Sequence, residues 1–221
     1  MENPKLKLVL IMLGHGDRNY TPGKRAYFKN KKLLSEDLSV EERERICDEA
    51  VHEGEINRLV GAEFMKMMTA AGYRYKLINP GVKDMSRTQR CNIANSYAKK
   101  MGYKHCLVIA LHSDGFSQES AHGASCYTSP GQTLSDVYAT EWYRQAKLMW
   151  PDEKFRKGLG DGDPDKEAKF TVLVKTKCPA ILPENYFFTN WKDYITHLRC
   201  KHGRKKLAQV LFNTVATFYQ K

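Results

Sequence analysis

Runs of apolar residues alternate along the chain with segments whose apolar positions recur at helical spacing. Strands are predicted where the apolar character is continuous or strand-like. These segments are residues 5–13, 73–79 ("YRYKLIN"), 105–113 ("HCLVIALHS"), 123–130 ("GASCYTSP"), 170–176 ("FTVLVKT") and 179–186 ("PAILPENY"). Segments of this length and aliphatic character are typical of buried strands.

Helical spacing begins at Ser39 and continues to a stop at Gly72. A second helix is predicted over residues 86–102, with Ser86 as its N-cap and Gly102 as its stop. A third covers residues 134–150, and two more close the chain. The last one carries an apolar stripe of Leu207, Val210, Leu211, Val215 and Phe218.

Two polar segments interrupt this pattern. Residues 17–36 are predicted to form a long loop, and the Gly/Asp-rich stretch "KGLGDGDPDKE" at 157–167 is predicted to be an exposed, mobile loop. Neither resembles an interdomain linker, and no internal repeat is visible. The alternation therefore predicts an α/β fold: a single-domain three-layer sandwich over residues 1–221, with a twisted, mostly parallel sheet and helices on both faces.

Composition narrows the class of protein. The chain has 221 residues, of which 42% are hydrophobic, as in a globular domain. Its longest early apolar run, residues 8–13, is too short for a transmembrane segment or the core of a signal peptide. Six cysteines without a CxxC pair indicate free thiols in a reducing compartment and no disulfides. We therefore expect no transmembrane segment, no signal peptide and a cytoplasmic start.

The formal net charge of +11 predicts a polyanionic partner. Nucleic acid, an acidic membrane surface and a bacterial envelope all meet that description. The densest basic clusters are "KNKK" at 29–32 and "KHGRKK" at 201–206. Charge runs are also common on solvated surfaces, so charge alone does not select the partner.

Several residues with candidate chemical roles lie at predicted strand ends. His15 lies in "LGHGDR" after the first strand, and His112 ends the third strand in "IALHSDGF". Carboxyl ends of parallel strands meet at one edge of a sheet, where ligands bind. Glu53 and Glu55 lie near the first helix and Glu184 near another strand end. Two histidines and a carboxylate are a ligand set of catalytic zinc, and a further carboxylate could act as general base. The alternative is that each is an ordinary strand-terminal side chain.

The order of motifs resembles a known family over nearly the whole chain. The segments are "GHG", "HEGEIN", "SRTQRCNIAN", "IALHSDGF", "HGASCYTSPGQTLSD" and "LVKTKCPAILPENYFFTNWKDYITHL". Together they resemble the zinc-dependent N-acetylmuramoyl-L-alanine amidases of bacterial autolysins and phage endolysins. Two departures stand out, because Asp17 replaces a common glycine and "HSDG" places Asp114 where an asparagine is usual.

The resemblance implies a Zn²⁺ cofactor held by His15, Glu53 and His112, with Glu184 as the catalytic carboxylate. Glu53 is preferred to Glu55 because it lies four residues before Asn57, as in the family. Weaker expectations are substrate contacts at His122, Asp114 and Arg87, while Arg90 is expected to hold its helix to a neighbouring loop. Asp114 is either a partner of the zinc ligands or an ordinary loop cap.

The implied reaction is hydrolysis of the amide between N-acetylmuramic acid and L-alanine of the peptidoglycan stem peptide. The expected biology is that of a monomeric phage endolysin without a separate cell-wall-binding domain, cytoplasmic until host lysis and drawn to an anionic envelope. Nucleic acid is not expected as a partner. The alternatives are another zinc hydrolase, a peptidase or deacetylase, on the same scaffold, or a non-catalytic basic module that binds cell wall.

Overall fold

The computed structural model describes residues 5–28 and 50–220. The strands in these ranges are β1 (Leu8–Leu13), β2 (Arg25–Ala26), β3 (Val51–His52), β4 (Tyr75–Leu77), β5 (Cys106–Asp114), β6 (Ser125–Thr128), β7 (Lys166–Glu167) and β8 (Ala180–Phe187). The helices are α1 (Glu53–Ala70), α2 (Arg87–Met101), α3 (Leu134–Met149), α4 (Thr171–Val174), α5 (Trp191–Asp193) and α6 (Lys201–Phe218). A 3₁₀ turn (Tyr103–His105) precedes β5, and a π-helical segment (Tyr194–Arg199) follows α5.

Six strands form one sheet in the order β4-β1-β5-β8-β6-β7. The four strands from β4 to β8 run parallel, and β6 is antiparallel to β8. The short strands β2 and β3 pair separately. The mostly parallel six-stranded sheet confirms the predicted α/β class.

Alternate residues of the central strands enter two cores on opposite faces of the sheet. Val9, Ile11 and Leu13 of β1 belong to the core that contains apolar residues of α1, α3 and α6. Leu8, Leu10 and Met12 belong to the other core, with residues of α2 and α4. Strands covered by helices on both faces are apolar throughout, which explains the continuous aliphatic runs.

Both predicted boundaries of α2 are confirmed. The Ser86 side chain accepts a hydrogen bond from the Gln89 backbone N–H, and the Gln89 side chain accepts one from the Ser86 backbone N–H. At the other end Gly102 has φ = 86°, a left-handed conformation that favours glycine. Ser86, at this capped start, lines the cavity of the candidate site described below.

Several predicted elements were wrong. Residues 170–176 contain the helix α4 rather than a strand, because the Thr176 hydroxyl and Lys175 N–H bond back to Val172 and Thr171. In the segment predicted as one helix from Ser39 to Gly72, Val51–His52 form β3 and the helix begins at Glu53. β2 and β7 interrupt the two predicted loops.

Three other predictions fall wholly or partly outside the described ranges. Residues 39–49 of the predicted helix and the basic cluster at 29–32 lie there, as does Cys47. The other five cysteines have free thiols, and four of them are buried. None of the described helices is long and apolar enough to cross a membrane.

Candidate active site

The turn after β1 brings His15 toward His112 at the end of β5. His15 adopts φ = 60°, an uncommon left-handed conformation for a residue with a side chain. A Cβ on Gly14 would lie 2.5 Å from Cε1 of His112, so only glycine permits this approach. The two imidazole rings meet edge to face, with centroids 5.2 Å apart.

Glu53 connects the two histidines from the first turn of α1. Its Oε1 lies 3.0 Å from Nδ1 of His112, and its Oε2 lies 3.2 Å from Nε2 of His15. One ligand atom from each of these three residues lies within 4.8 Å of the other two. A Cβ on Gly54 would lie 1.7 Å from the Gly16 carbonyl oxygen, so glycine lets α1 begin directly against the turn.

A buried polar network fixes Glu53. The Asn57 amide donates to Glu53 Oε1 (3.2 Å) and to the Gly14 carbonyl (3.3 Å). The Ser113 hydroxyl donates to Asn57 Oδ1 (3.1 Å). Such buried networks hold side chains in one orientation when every member is satisfied.

Ser113 and Arg58 were not singled out in the sequence. Arg58 donates to the carbonyls of His15 (3.0 Å) and Gly54 (2.7 Å), and so ties the turn to α1. The signal for Ser113 was a small polar residue within an aliphatic strand. Arg58 had no comparable signal, since an arginine on a helix is usually solvated.

Glu55, the alternative carboxylate, faces away from the two histidines. Both of its oxygens accept hydrogen bonds from Arg18, at 2.7 and 3.1 Å. Of the two glutamates at the start of α1, Glu53 alone joins the histidine pair.

The pKa values of Glu53 and His15 are shifted toward the protonation states that bind metal ions. Burial raises the pKa of Glu53, but hydrogen bonds and charges of His112, His15 and Asn57 outweigh it and lower the pKa below its ordinary value. Burial lowers the pKa of His15, against the opposing effect of Glu53. An ionised carboxylate and a neutral imidazole are the forms that bind metal ions.

Glu184 lies next to this cluster, since it pairs with His112 across β5 and β8. Together with His15 and His112 it lines a cavity of about 740 Å³. Its Oε2 is buried and has no hydrogen-bond partner among the described residues. Burial, and then the charges of Glu53 and Asp114, raise the pKa of Glu184 well above its ordinary value.

The weaker predictions separate into two groups. Arg87 lines the cavity that contains Glu184. Asp114 and His122 instead line a second cavity, of about 280 Å³. The register of β5 and β8 is irregular after His112, and Asp114 forms an ion pair with Arg156 (2.6 Å) rather than with the histidine cluster. Substrate contacts at Asp114 and His122 stay predictions.

Arg90 holds α2 to the preceding loop, as expected. Its guanidinium donates to the carbonyls of Met85 (2.8 Å) and Leu13 (2.7 Å) and pairs with Asp84 (2.6 Å). Asn79 also bonds both backbone groups of Leu13. The end of β1, and therefore the His15 turn, is fixed from two sides.

The donor set of His15, Glu53 and His112 fits a divalent metal ion. Two imidazole nitrogens and one carboxylate oxygen are a common set for zinc enzymes, in which a fourth position stays open. The fold and the site together define an α/β enzyme with a His-Glu-His centre that can hold a metal ion.

A family model described as N-acetylmuramoyl-L-alanine amidase matches residues 9–217. The chain belongs to this family, and its activity is that of a peptidoglycan amidase. No curated protein sequence matches the chain significantly.

Solved structures of amidases share the fold. An N-acetylmuramoyl-L-alanine amidase from Clostridium difficile 630 superposes with a TM-score of 0.70, at 16% identity, over 97% of each chain. The amidase Ami1 from Mycobacterium smegmatis gives a TM-score of 0.69, at 16% identity, over 98% of each chain. The catalytic domain of CD27L, an endolysin targeting Clostridia difficile, gives a TM-score of 0.61 at 16% identity, over 97% of this chain and 99% of its own.

Proposed function

We propose that the protein is a zinc-dependent amidase that hydrolyses the bond between N-acetylmuramic acid and L-alanine of the stem peptide. His15, Glu53 and His112 are the proposed zinc ligands, and Glu184 is the proposed catalytic residue. The observation that carries this proposal is the convergence of the three donors within 4.8 Å, beside a cavity that contains Glu184. One chain supplies all four residues, so a monomer is sufficient.

The chemistry follows from the donor set. A zinc ion bound there would lower the pKa of a coordinated water to about 7 and polarise the scissile carbonyl. Glu184 would accept a proton from the attacking water and donate one to the leaving amine of L-alanine. A raised pKa suits this role, because a carboxylate that retains a proton more readily can accept one and then donate it. No cysteine is needed as a nucleophile.

The surrounding residues position these groups. Asn57 and Ser113 keep the Glu53 carboxylate directed at the histidines, and Arg58 holds the carbonyl of the His15 turn. Residues that orient metal ligands commonly contribute 10–100-fold to metal affinity or activity.

We further propose that the enzyme is a phage endolysin, cytoplasmic until host lysis, in which residues 9–217 form one catalytic domain. Three observations support this. The chain shares its fold with the CD27L catalytic domain, the family match spans residues 9–217, and the net charge of +11 suits an anionic envelope. Expression in a bacterial host should cause lysis only when a membrane-permeabilising protein is co-expressed, and lysis without one would contradict this role.

Zinc analysis of the purified protein and mass spectrometry of digested peptidoglycan test the reaction together. We expect one zinc per chain and a new free amine on L-alanine. A new reducing sugar end, a released acetate or another peptide terminus would instead identify a different hydrolase. Absence of both zinc and products would indicate a binding module.

A matched pair of variants tests the ligand assignment. Glu53→Ala should lose zinc and activity. Glu55→Ala, two positions along the same helix, should keep both, because the Glu55 side chain contacts Arg18 and not the histidines. Retention of full zinc by Glu53→Ala would contradict the proposed ligand set.

A further inference from the structure

Besides the buried Arg90, three exposed cations line the cavity that contains Glu184. Lys24 follows β1 in the chain, Arg87 is the first residue of α2, and Lys169 precedes α4. All three are exposed, and none forms an ion pair with a described residue. They approach the cavity from three separate segments of the chain.

The carboxylates of the cavity wall do not neutralise these cations. Asp84 is already paired with Arg90, at 2.6 Å, and Glu184 is the proposed proton carrier. The first turn of α2, where Arg87 lies, contains no acidic residue. Helix N-termini carry a partial positive charge, so this end of α2 adds to the charge of Arg87.

A cavity with excess positive charge favours a substrate that carries negative charge close to the scissile bond. Successive Cα atoms of a peptide are 3.8 Å apart, so a carboxylate on the residue after L-alanine lies within about 8 Å of the scissile nitrogen. In peptidoglycan this residue is a glutamate joined through its side chain, and its α-carboxyl group is either a free carboxylate or an amide.

On the basis of the proposed function, we infer that Arg87, assisted by Lys24 and Lys169, binds this α-carboxylate. The enzyme then selects stem peptides with D-glutamate over those with D-isoglutamine at the second position. A guanidinium is suited to this task, because its paired N–H groups match the two oxygens of a carboxylate, whereas an amide offers only one acceptor oxygen and no charge.

Two disaccharide-tripeptides that differ only in D-glutamate or D-isoglutamine after L-alanine provide the test. We expect the wild type to cleave the carboxylate form with a kcat/KM roughly 10- to 100-fold higher, the range for a charge-assisted hydrogen bond. Arg87→Gln should lose most of this preference, mainly through a higher KM for the carboxylate form. Lys99→Gln removes one charge from the other end of the same helix and should keep the preference.

The possible results separate the inference from the proposed function. Equal cleavage of both substrates by the wild type would overturn the inference and leave the amidase activity intact. An equal loss on both substrates in Arg87→Gln would also overturn it, since that result indicates only a structural role. Cleavage of neither substrate by a zinc-loaded wild type would count against the proposed function itself.

Discussion

Gly14 controls how closely the two histidines approach each other. A Cβ at this position would lie 2.5–2.8 Å from three atoms of the His112 ring, so Gly14→Ala must move that ring away from Glu53. We expect metal affinity to fall by roughly 10-fold or more, as for other changes that displace a ligand. Chelator competition measures the affinity, and thermal unfolding checks the fold.

Gly23→Ala is the matched control, because a Cβ there meets no atom within 4 Å. It should keep the metal affinity of the wild type. An unchanged affinity in Gly14→Ala would show that the His112 ring is not needed in its present position.

Glu184 separates chemistry from metal binding. Its carboxylate faces the cavity beside the donor cluster but is not among the three converging donors. Glu184→Gln should therefore retain zinc and fold, and should lose roughly 10²–10⁴-fold in rate because proton transfer is removed. Zinc content and product release are measured on one purified sample. Normal release would remove Glu184 from the mechanism, and loss of zinc would make it a ligand.

Four candidate residues could be proposed from the sequence, but their supporting residues could not. His15, Glu53, His112 and Glu184 stand in recognisable segments at predicted element ends. Ser113 acts instead through Asn57, 56 positions away in the chain, and such a contact exists only once α1 has packed against β5. No local pattern encodes a distance of that kind.

At the scale of elements, the hydrophobic pattern predicted the long, buried strands correctly. β1, β5 and β8 were predicted because aliphatic runs covered on both faces admit few alternatives. Residues 170–176 were mispredicted, since over four residues an apolar run does not distinguish a strand from one helical turn. The short strands β2 and β3 depend on pairing with each other and carry no apolar signal of their own.

The π-helical segment contains a histidine that should make stability depend on pH. His197 is 2% exposed and stacks on Tyr186 with ring centroids 3.8 Å apart. Burial, against an opposing effect of Glu153, lowers the pKa of His197 to about 4. Between pH 4 and the ordinary value of 6.5, the unfolded chain therefore binds more protons than the native protein.

It follows that this group's contribution to the free energy of unfolding is complete above pH 6.5 and is lost as the pH falls toward 4. The slope is at most about 1.4 kcal/mol per pH unit. Urea unfolding at several pH values should show a shallower acid loss in His197→Gln, whatever its overall stability. An identical slope in the variant and the wild type would assign the acid sensitivity to other groups.

At the scale of the whole molecule, the positively charged side chains differ in how exposed they are. In the cluster at 201–206, Arg204 is half-buried and donates to the carbonyls of Leu198 and Arg199, so it is part of the helix start. Lys201 and Lys205 are exposed, and Lys206 is partly exposed. Of the four lysine and arginine side chains in this cluster, the three lysines are therefore the ones available to an anionic surface, a distinction that the sequence did not reveal.

If charge draws the enzyme to an anionic envelope, salt should weaken its binding to cell wall. The Debye length shortens from about 10 Å at 0.1 M salt to about 3 Å at 1 M, which screens exposed charges far more than the buried contacts of Glu53. Co-sedimentation with purified wall should therefore decrease with salt, while zinc content stays constant. Replacing Lys201, Lys205 and Lys206 with glutamine should reduce this dependence.

The control removes the same number of charges elsewhere, by replacing Lys99, Lys100 and Lys104 with glutamine. If the lysines of α6 form a specific contact surface, their variant should lose more wall binding at low salt than the control. Equal losses would mean that net charge acts as a whole, through the summed field of the protein. A salt profile unchanged in both variants would contradict charge-guided binding and leave these lysines as solvated surface groups.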